Sequence, residues 1–281
     1  MRKINYKTVV EAVEALCLKA AYELPEDVEN VIKESLAVEE SPLGKSILKQ
    51  YLENADIARN KRIPICQDTG AAVFLAEVGT DCFIEGGSLT DAVKQGTAAG
   101  YKNGYLRKSM VEDPIFDRKN TGDNTPVIVH LLETEGDILK LTLAPKGGGS
   151  ENMSKTAMLK PLEGEQGVID FVVKTVTESG ANPCPPTIVG VGIGGDFEYA
   201  AFLAKKALFR RTGEPHPDPR YAEMEHKILK AVNESGVGPQ GLGGRTTAFA
   251  VHIEKTGCHI ASLPVAVNLN CHAARHASVS I

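Results

Sequence analysis

The segment Ile188-Val-Gly-Val-Gly-Ile-Gly-Gly-Asp196 carries the chain from a short apolar run into a helix-forming one, and what it builds separates two kinds of α/β protein. Thr187 to Val191 reads as a buried strand and Phe197 to Arg211 as a helix. Gly190, Gly192 and Gly195 match the G-x-G-x-x-G spacing of a dinucleotide-binding turn. The rest of that fingerprint fails. After the helix comes RRTGEPHPDPR (210–220), where a dinucleotide fold needs a second apolar strand ending in an acid about twenty residues on. The segment is therefore read as a tight strand-to-helix turn whose amides could hold an anion or lie close to a buried cluster.

Working outward, the first sixty residues read as helices. Val9, Val10, Val13, Leu16, Cys17, Ala20, Ala21 and Leu24 follow the helical rhythm. Pro25 opens a second helix with Glu26 and Asp27 in its first turn, and a third follows Pro42 towards Arg59. Ala72 to Val78 then reads as a strand, Thr90 to Leu106 as a helix and Asp113 to Thr125 as a loop. Val127 to Leu132 and Ile138 to Leu143 resemble paired strands joined by an ETEGD turn. Pro145 to Met153 is a glycine-rich loop, Val168 to Ser179 and Arg220 to Glu234 are helices, and Thr246 to Ile253 and Ile260 to Asn268 are strands. The expected fold class is α/β: a helical N-terminal part (1–60) followed by mixed sheets with flanking helices (61–281), in a single domain spanning 1–281.

With 281 residues and a net charge of -5, the chain can bury a large core and does not favour a nucleic-acid surface. No apolar run reaches membrane-spanning length and the N-terminus lacks a secretory pattern, so no membrane role and a cytoplasmic location are expected.

Six cysteines occur, none in a C-x-x-C pair, which argues against zinc ribbons and thioredoxin-type chemistry. Cys66 in IPICQDTG, Cys184 in ANPCPPT and Cys271 in VNLNCHAAR each sit where an apolar segment meets a break, the usual place for a displayed ligand. Cys17 and Cys82 lack that setting, and Cys258 before His259 is ambiguous. Three widely spaced thiolates suit a cubane iron–sulfur cluster with one iron left open, or else are buried small hydrophobes. Lys146-Gly-Gly-Gly-Ser150 lacks the ending of a P-loop but offers either a nest of amides for a carboxylate or a flexible exit. His272 and His276 stand four apart, as two metal ligands or two surface histidines on a helix would.

Together PICQDTGAAVF, APKGGGSENMS, NPCPPTIVGVGIGGDFEYAAFLAKKAL and GLGGRTTAFAVHIEK with CHIASLPVAVNLNCHAARH resemble the alpha region of the iron–sulfur hydro-lyases, the class I fumarate hydratases and L(+)-tartrate dehydratases. The resemblance implies a [4Fe–4S] cluster held by Cys66, Cys184 and Cys271. It implies substrate contacts from Gln67, Asp68, Arg107, Gly149 and His259, with Asp68 and His259 catalytic. The reaction implied is reversible hydration of a small dicarboxylate, fumarate/malate first and tartrate as the alternative. Since the chain stops ten residues after Cys271, the resemblance also implies a separate beta subunit that completes the cleft and supplies the proton-abstracting residue, in an alpha2beta2 assembly with an alpha–alpha contact. A non-catalytic iron–sulfur scaffold and a nucleotide-binding oxidoreductase are the readings of other classes.

Overall fold

The computed structural model describes residues 1–281. In chain order its elements begin with β1 (Arg2–Asn5), α1 (Tyr6–Tyr22), α2 (Glu26–Val38), α3 (Pro42–Lys61), β2 (Ala71–Gly79) and β3 (Cys82–Glu85). They continue with α4 (Leu89–Asn103), β4 (Ile128–Thr134), β5 (Leu139–Lys146), α5 (Gly148–Glu151), β6 (Lys155–Leu159) and α6 (Gly164–Ser179). The last are β7 (Thr187–Gly195), α7 (Phe197–Ala207), α8 (Pro219–Asn233), β8 (Ala248–Cys258), β9 (Leu263–Asn270) and β10 (Ala277–Ser280). The α/β class expected from the sequence holds, with the N-terminal helices in place. No helix is long and apolar enough to cross a membrane.

The chain divides into two compact units. The first comprises Met1–Pro25, Ala55–Gly148 and Arg275–Ile281; the second comprises Glu26–Asn54 and Gly149–Ala274.

The first unit is built on a four-stranded sheet in the order β10-β5-β2-β4, beside a parallel pair β1-β3. Val127–Leu132 and Ile138–Leu143 are both strands, as expected, but they do not pair with each other. β2 lies between them, parallel to β4 and antiparallel to β5. The physical reason is burial: Ala72 to Ala76 are all buried, so β2 needs a partner on both edges, whereas Ile128 and Leu131 of β4 are exposed. The Glu135–Ile138 connection crosses the end of β2, where Gly79 N–H donates to the Ile138 carbonyl at 2.9 Å. A Cβ on Gly79 would lie 2.3 Å from the Gly136 carbonyl oxygen, so only glycine fits under that crossing. Helix α1 packs on α4 through Gly96 and Gly100; a Cβ on Gly100 would meet the Cys17 Cβ at 2.6 Å. Burial pushes the Cys17 thiol up to about 12, which suits a packing residue.

The second unit is a mixed sheet in the order β6-β9-β7-β8, with β8 parallel and β9 antiparallel to β7. Alternation along β7 sorts its two faces. Val189, Val191 and Ile193 join the core formed with α6 and α8, while Gly190 and Gly192 face α7. A Cβ on Gly190 would lie 2.2 Å from the Ala204 carbonyl oxygen, and one on Gly192 2.0 Å from that of Ala200. These glycines therefore let a helix backbone approach the sheet. The N-terminus of α7 is capped by Asp196, whose carboxylate accepts from Tyr199 N–H at 2.8 Å. An acid occupies the place where a dinucleotide would set its pyrophosphate, which removes the support for the nucleotide reading.

Candidate active site

In the first unit, α3 ends at Lys61 and the chain then runs irregularly through Cys66-Gln67-Asp68-Thr69-Gly70 into β2. Gly70 has φ +77°, and a Cβ there would lie 2.7 Å from the Lys146 backbone nitrogen. The loop thus passes against the end of β5, and a side chain at residue 70 would force it away. Both Asp68 carboxylate oxygens are engaged. Oδ1 accepts from Gly70 N–H at 3.0 Å and lies 3.6 Å from Arg107 Nη2, while Oδ2 accepts from Gly148 N–H at 2.8 Å. The glycine-rich loop does offer its amide to a carboxylate, and in this structure that carboxylate is Asp68.

The loop backbone is held from below. Tyr101 O–H donates to the Thr69 carbonyl at 2.7 Å and reaches the Gly70 carbonyl at 3.0 Å. Asn124 Nδ2 donates to the Gly70 carbonyl at 3.1 Å, and Arg275 Nη2 to the Asp68 carbonyl at 2.9 Å. Thr69 O–H donates to the Arg107 carbonyl at 2.6 Å, which ties the loop to the segment carrying that arginine. Burial pushes the Tyr101 phenol well above its ordinary range, so it remains a donor. Gln67 Oε1 lies 3.5 Å from the partly exposed Cys66 sulfur. The Arg107 side chain is 58% exposed, open enough to exchange Asp68 for another carboxylate.

In the second unit, Cys184 and Cys271 adjoin. His272 N–H and Nδ1 both lie on the Cys184 carbonyl, at 3.2 and 3.0 Å, and Nδ1 is 3.4 Å from Gln240 Nε2. The His272 ring stacks on Tyr51 with centroids 3.8 Å apart. Tyr51 O–H donates to the Pro185 carbonyl at 3.1 Å and accepts from Gln240 Nε2 at 2.6 Å. Burial pushes the Tyr51 phenol up; the Gln240 bond works against this, and the neighbouring Cys184 and Cys271 push it up further. Cys184 itself sits at φ +54° and is exposed. The backbone of Gly149 belongs to this neighbourhood, since a Cβ there would lie 3.2 Å from the Asn182 carbonyl oxygen.

His259 does not join this group. Within the second unit, Ile188 stands opposite Asn270 and Ile193 opposite Val265, so Cys184 and Cys271 lie at one end of β7 and β9. His259 lies in the turn before β9, at the other end, and the eight residues of β9 span roughly 26 Å at about 3.3 Å each. It lines instead a cavity of about 460 Å³ with Arg220, Tyr221, Met224 and Cys258. The helical His272/His276 pair is also corrected: residues 271–276 form no helix, because the segment is drawn out between β9 and β10. Tyr51, Tyr101, Asn124 and Gln240 carry no motif that singles them out in the sequence, while Arg275 was visible only as a neighbour of the two histidines.

None of the six cysteines forms a disulfide. No group of three or more His, Cys, Asp or Glu side chains stands at the distance a single metal ion needs. In the first unit Cys66 is partly exposed and Arg275 is buried with Nε and Nη1 unpartnered; in the second Cys184 is exposed and Cys271 partly exposed.

Comparisons with known proteins show the family. A family model described as fumarate hydratase (fumerase) matches residues 10–280. A Methanocaldococcus jannaschii protein, provisionally named L(+)-tartrate dehydratase subunit alpha, is 39% identical over 273 residues, covering 96% of both chains. The L(+)-tartrate dehydratase alpha subunits of Escherichia coli UTI89 and K12 are 36% and 35% identical over 262 residues, 92% of this chain and 86% of each relative. On the match to its model and on these identities, the chain belongs to the fumarate hydratase family.

Proposed function

We propose that the chain is the alpha subunit of an iron–sulfur hydro-lyase that removes or adds water on a small 2-hydroxy dicarboxylate. The observation that carries this reading is the Cys66–Gly70 loop, where an accessible thiol adjoins an amide and a carboxylate fixed by two backbone N–H groups and Arg107. Cys66, Cys184 and Cys271 would hold a [4Fe–4S] cluster, which when bound supplies a Lewis acid for the leaving hydroxyl. The polypeptide does the remainder. Arg107 exchanges its loose contact with Asp68 for a substrate carboxylate, and its planar fork fixes that end of the molecule. Asp68 and Gln67 orient the hydroxyl, with Asp68 kept in place by Gly70 and Gly148. The Gly149 backbone adds a contact from beside Cys184.

The carbon-bound proton is assigned to a residue of a separate beta subunit, in an alpha2beta2 assembly in the cytoplasm, with residues 1–281 acting as one alpha domain. The names of the relatives favour tartrate and the family description favours fumarate. The test is anaerobic reconstitution with the candidate beta chain, followed by assay on fumarate, malate and L(+)-tartrate. Turnover of one pair that needs both chains and iron is the expected result; full turnover by this chain alone would overturn the two-subunit reading.

A further inference from the structure

Arg275 is the largest side chain the fold buries completely, at 2% exposure. Its only hydrogen bond runs from Nη2 to the Asp68 carbonyl; Nε and Nη1 have none, and no carboxylate pairs with it. A guanidinium keeps its charge inside a protein, and a buried charge without a partner is strongly destabilising. The fold answers the charge of the largely buried Arg210 with Glu225, although Arg210 Nε also has no hydrogen-bond partner. Leaving Arg275 unanswered implies that the compensating anion is not part of the polypeptide.

Position narrows the choice of anion. Arg275 follows Cys271 by four residues, and the carbonyl it holds is two residues after Cys66. The Asp68 carboxylate is already committed to Gly70, Gly148 and Arg107. A substrate arriving from solvent meets Arg107, whose side chain is 58% exposed, before it meets a fully buried side chain. What remains is the anion the three cysteines would hold, since a cubane core on three thiolates carries net negative charge. We infer that Arg275 is the countercharge of that cluster, its two unpartnered nitrogens, Nε and Nη1, serving thiolate or sulfide sulfur. It is a positioning residue that tunes the cluster and does not touch substrate. This rests on the cluster reading proposed above.

The experiment compares wild type, Arg275→Met and Arg275→Lys as full chains, metal-free and after anaerobic reconstitution with iron and sulfide. Metal-free Arg275→Met should melt at or above the wild-type temperature, because a buried unpaired charge has gone. Loaded Arg275→Met should lose iron to a chelator about 10–100-fold faster than wild type, the usual effect of removing a hydrogen-bond partner from a metal ligand. Its midpoint potential should fall, since a nearby positive charge favours the reduced cluster, while Arg275→Lys should stay nearer to wild type. Iron retention and potential unchanged in Arg275→Met would overturn the inference and leave the cluster reading intact. So would a metal-free Arg275→Met that is destabilised or fails to fold, which marks a purely structural arginine. Wild type that takes up no iron would instead remove the cluster reading, and this inference with it.

Discussion

Two regions hold an arginine largely out of solvent, and they differ in whether a carboxylate answers its charge. Around Arg210 every charge is answered within the fold: the guanidinium pairs with Glu225 and donates to the Ile253 carbonyl. Glu225 in turn accepts from Ile253 N–H at 2.7 Å and from His216 N–H at 3.1 Å. His252 adjoins this network, its Nδ1 donating to the Ala207 carbonyl at 3.2 Å. Around the Cys66–Gly70 loop the backbone is held as firmly, by Tyr101, Asn124 and Arg275, yet the charge of Arg275 has no partner. In the first arrangement the charge is met by a carboxylate of the fold, although Arg210 Nε has no hydrogen-bond partner; in the second no carboxylate meets it. Rigid backbone with open charge is what a binding site needs, because the cost of order is met before the ligand arrives.

The largest expected effect tests the closed network. Glu225→Gln leaves Arg210 charged, largely buried and without a carboxylate, and should cost about 3–5 kcal/mol in denaturant unfolding. If metal-free Arg275→Met loses as much, the two regions are alike and the comparison fails. The next effect is a pH dependence. Burial first, then the charge of Arg210, push His252 down from 6.5 to about 4, so it is neutral in the fold while the unfolded chain takes up a proton below about 6.5. Stability is therefore complete above 6.5 and is lost as pH falls towards 4, by about 3 kcal/mol in all. Unfolding of His252→Gln at pH 7 and pH 4.5 should show a flatter dependence than wild type; identical slopes would show that His252 does not report on the network.

Smaller effects belong to the open region. Tyr101→Phe strips the Thr69 carbonyl of its donor and should cost about 1–2 kcal/mol, measured by the same unfolding experiment. Arg107→Ala, at an exposed side chain, should leave stability within about 0.5 kcal/mol. In the reconstituted enzyme it should lower kcat/KM roughly 10–100-fold, the value of one charged hydrogen bond to substrate. Unchanged kinetics would dismiss Arg107 as the carboxylate clamp.

What the sequence shows and what it hides follow from range. The periodicity of α1 and the apolar runs of β2, β7 and β9 are local signals and survive into the structure. β1, β6 and β10 are four or five residues long and largely exposed, with partners 80 or more residues away, and nothing local marks them. The expected hairpin of β4 and β5 failed for a related reason, since the buried strand that separates them lies almost fifty residues earlier in the chain. At the site, proline and amide contexts make Cys66, Cys184 and Cys271 conspicuous, whereas Tyr101 and Asn124 act through single bonds to backbone carbonyls. His259 belongs to the same motif as Cys271, and strand register places it at the other end of β9 within the second unit.

The β10–β5 pairing has a consequence for how the protein is made. β5 ends at Lys146 and its partner begins at Ala277, about 130 residues later, so at roughly 5–20 residues per second the ribosome delivers the edge strand some 6–26 s after the strand it completes. During that interval Leu139, Leu141 and Leu143 wait beside an open edge while residues 149–274 are synthesised and can fold among themselves. Nascent chains stalled before residue 277 should therefore yield a protease-resistant fragment from the second unit and none from the first. Equal protection of both would show that the first sheet closes without β10.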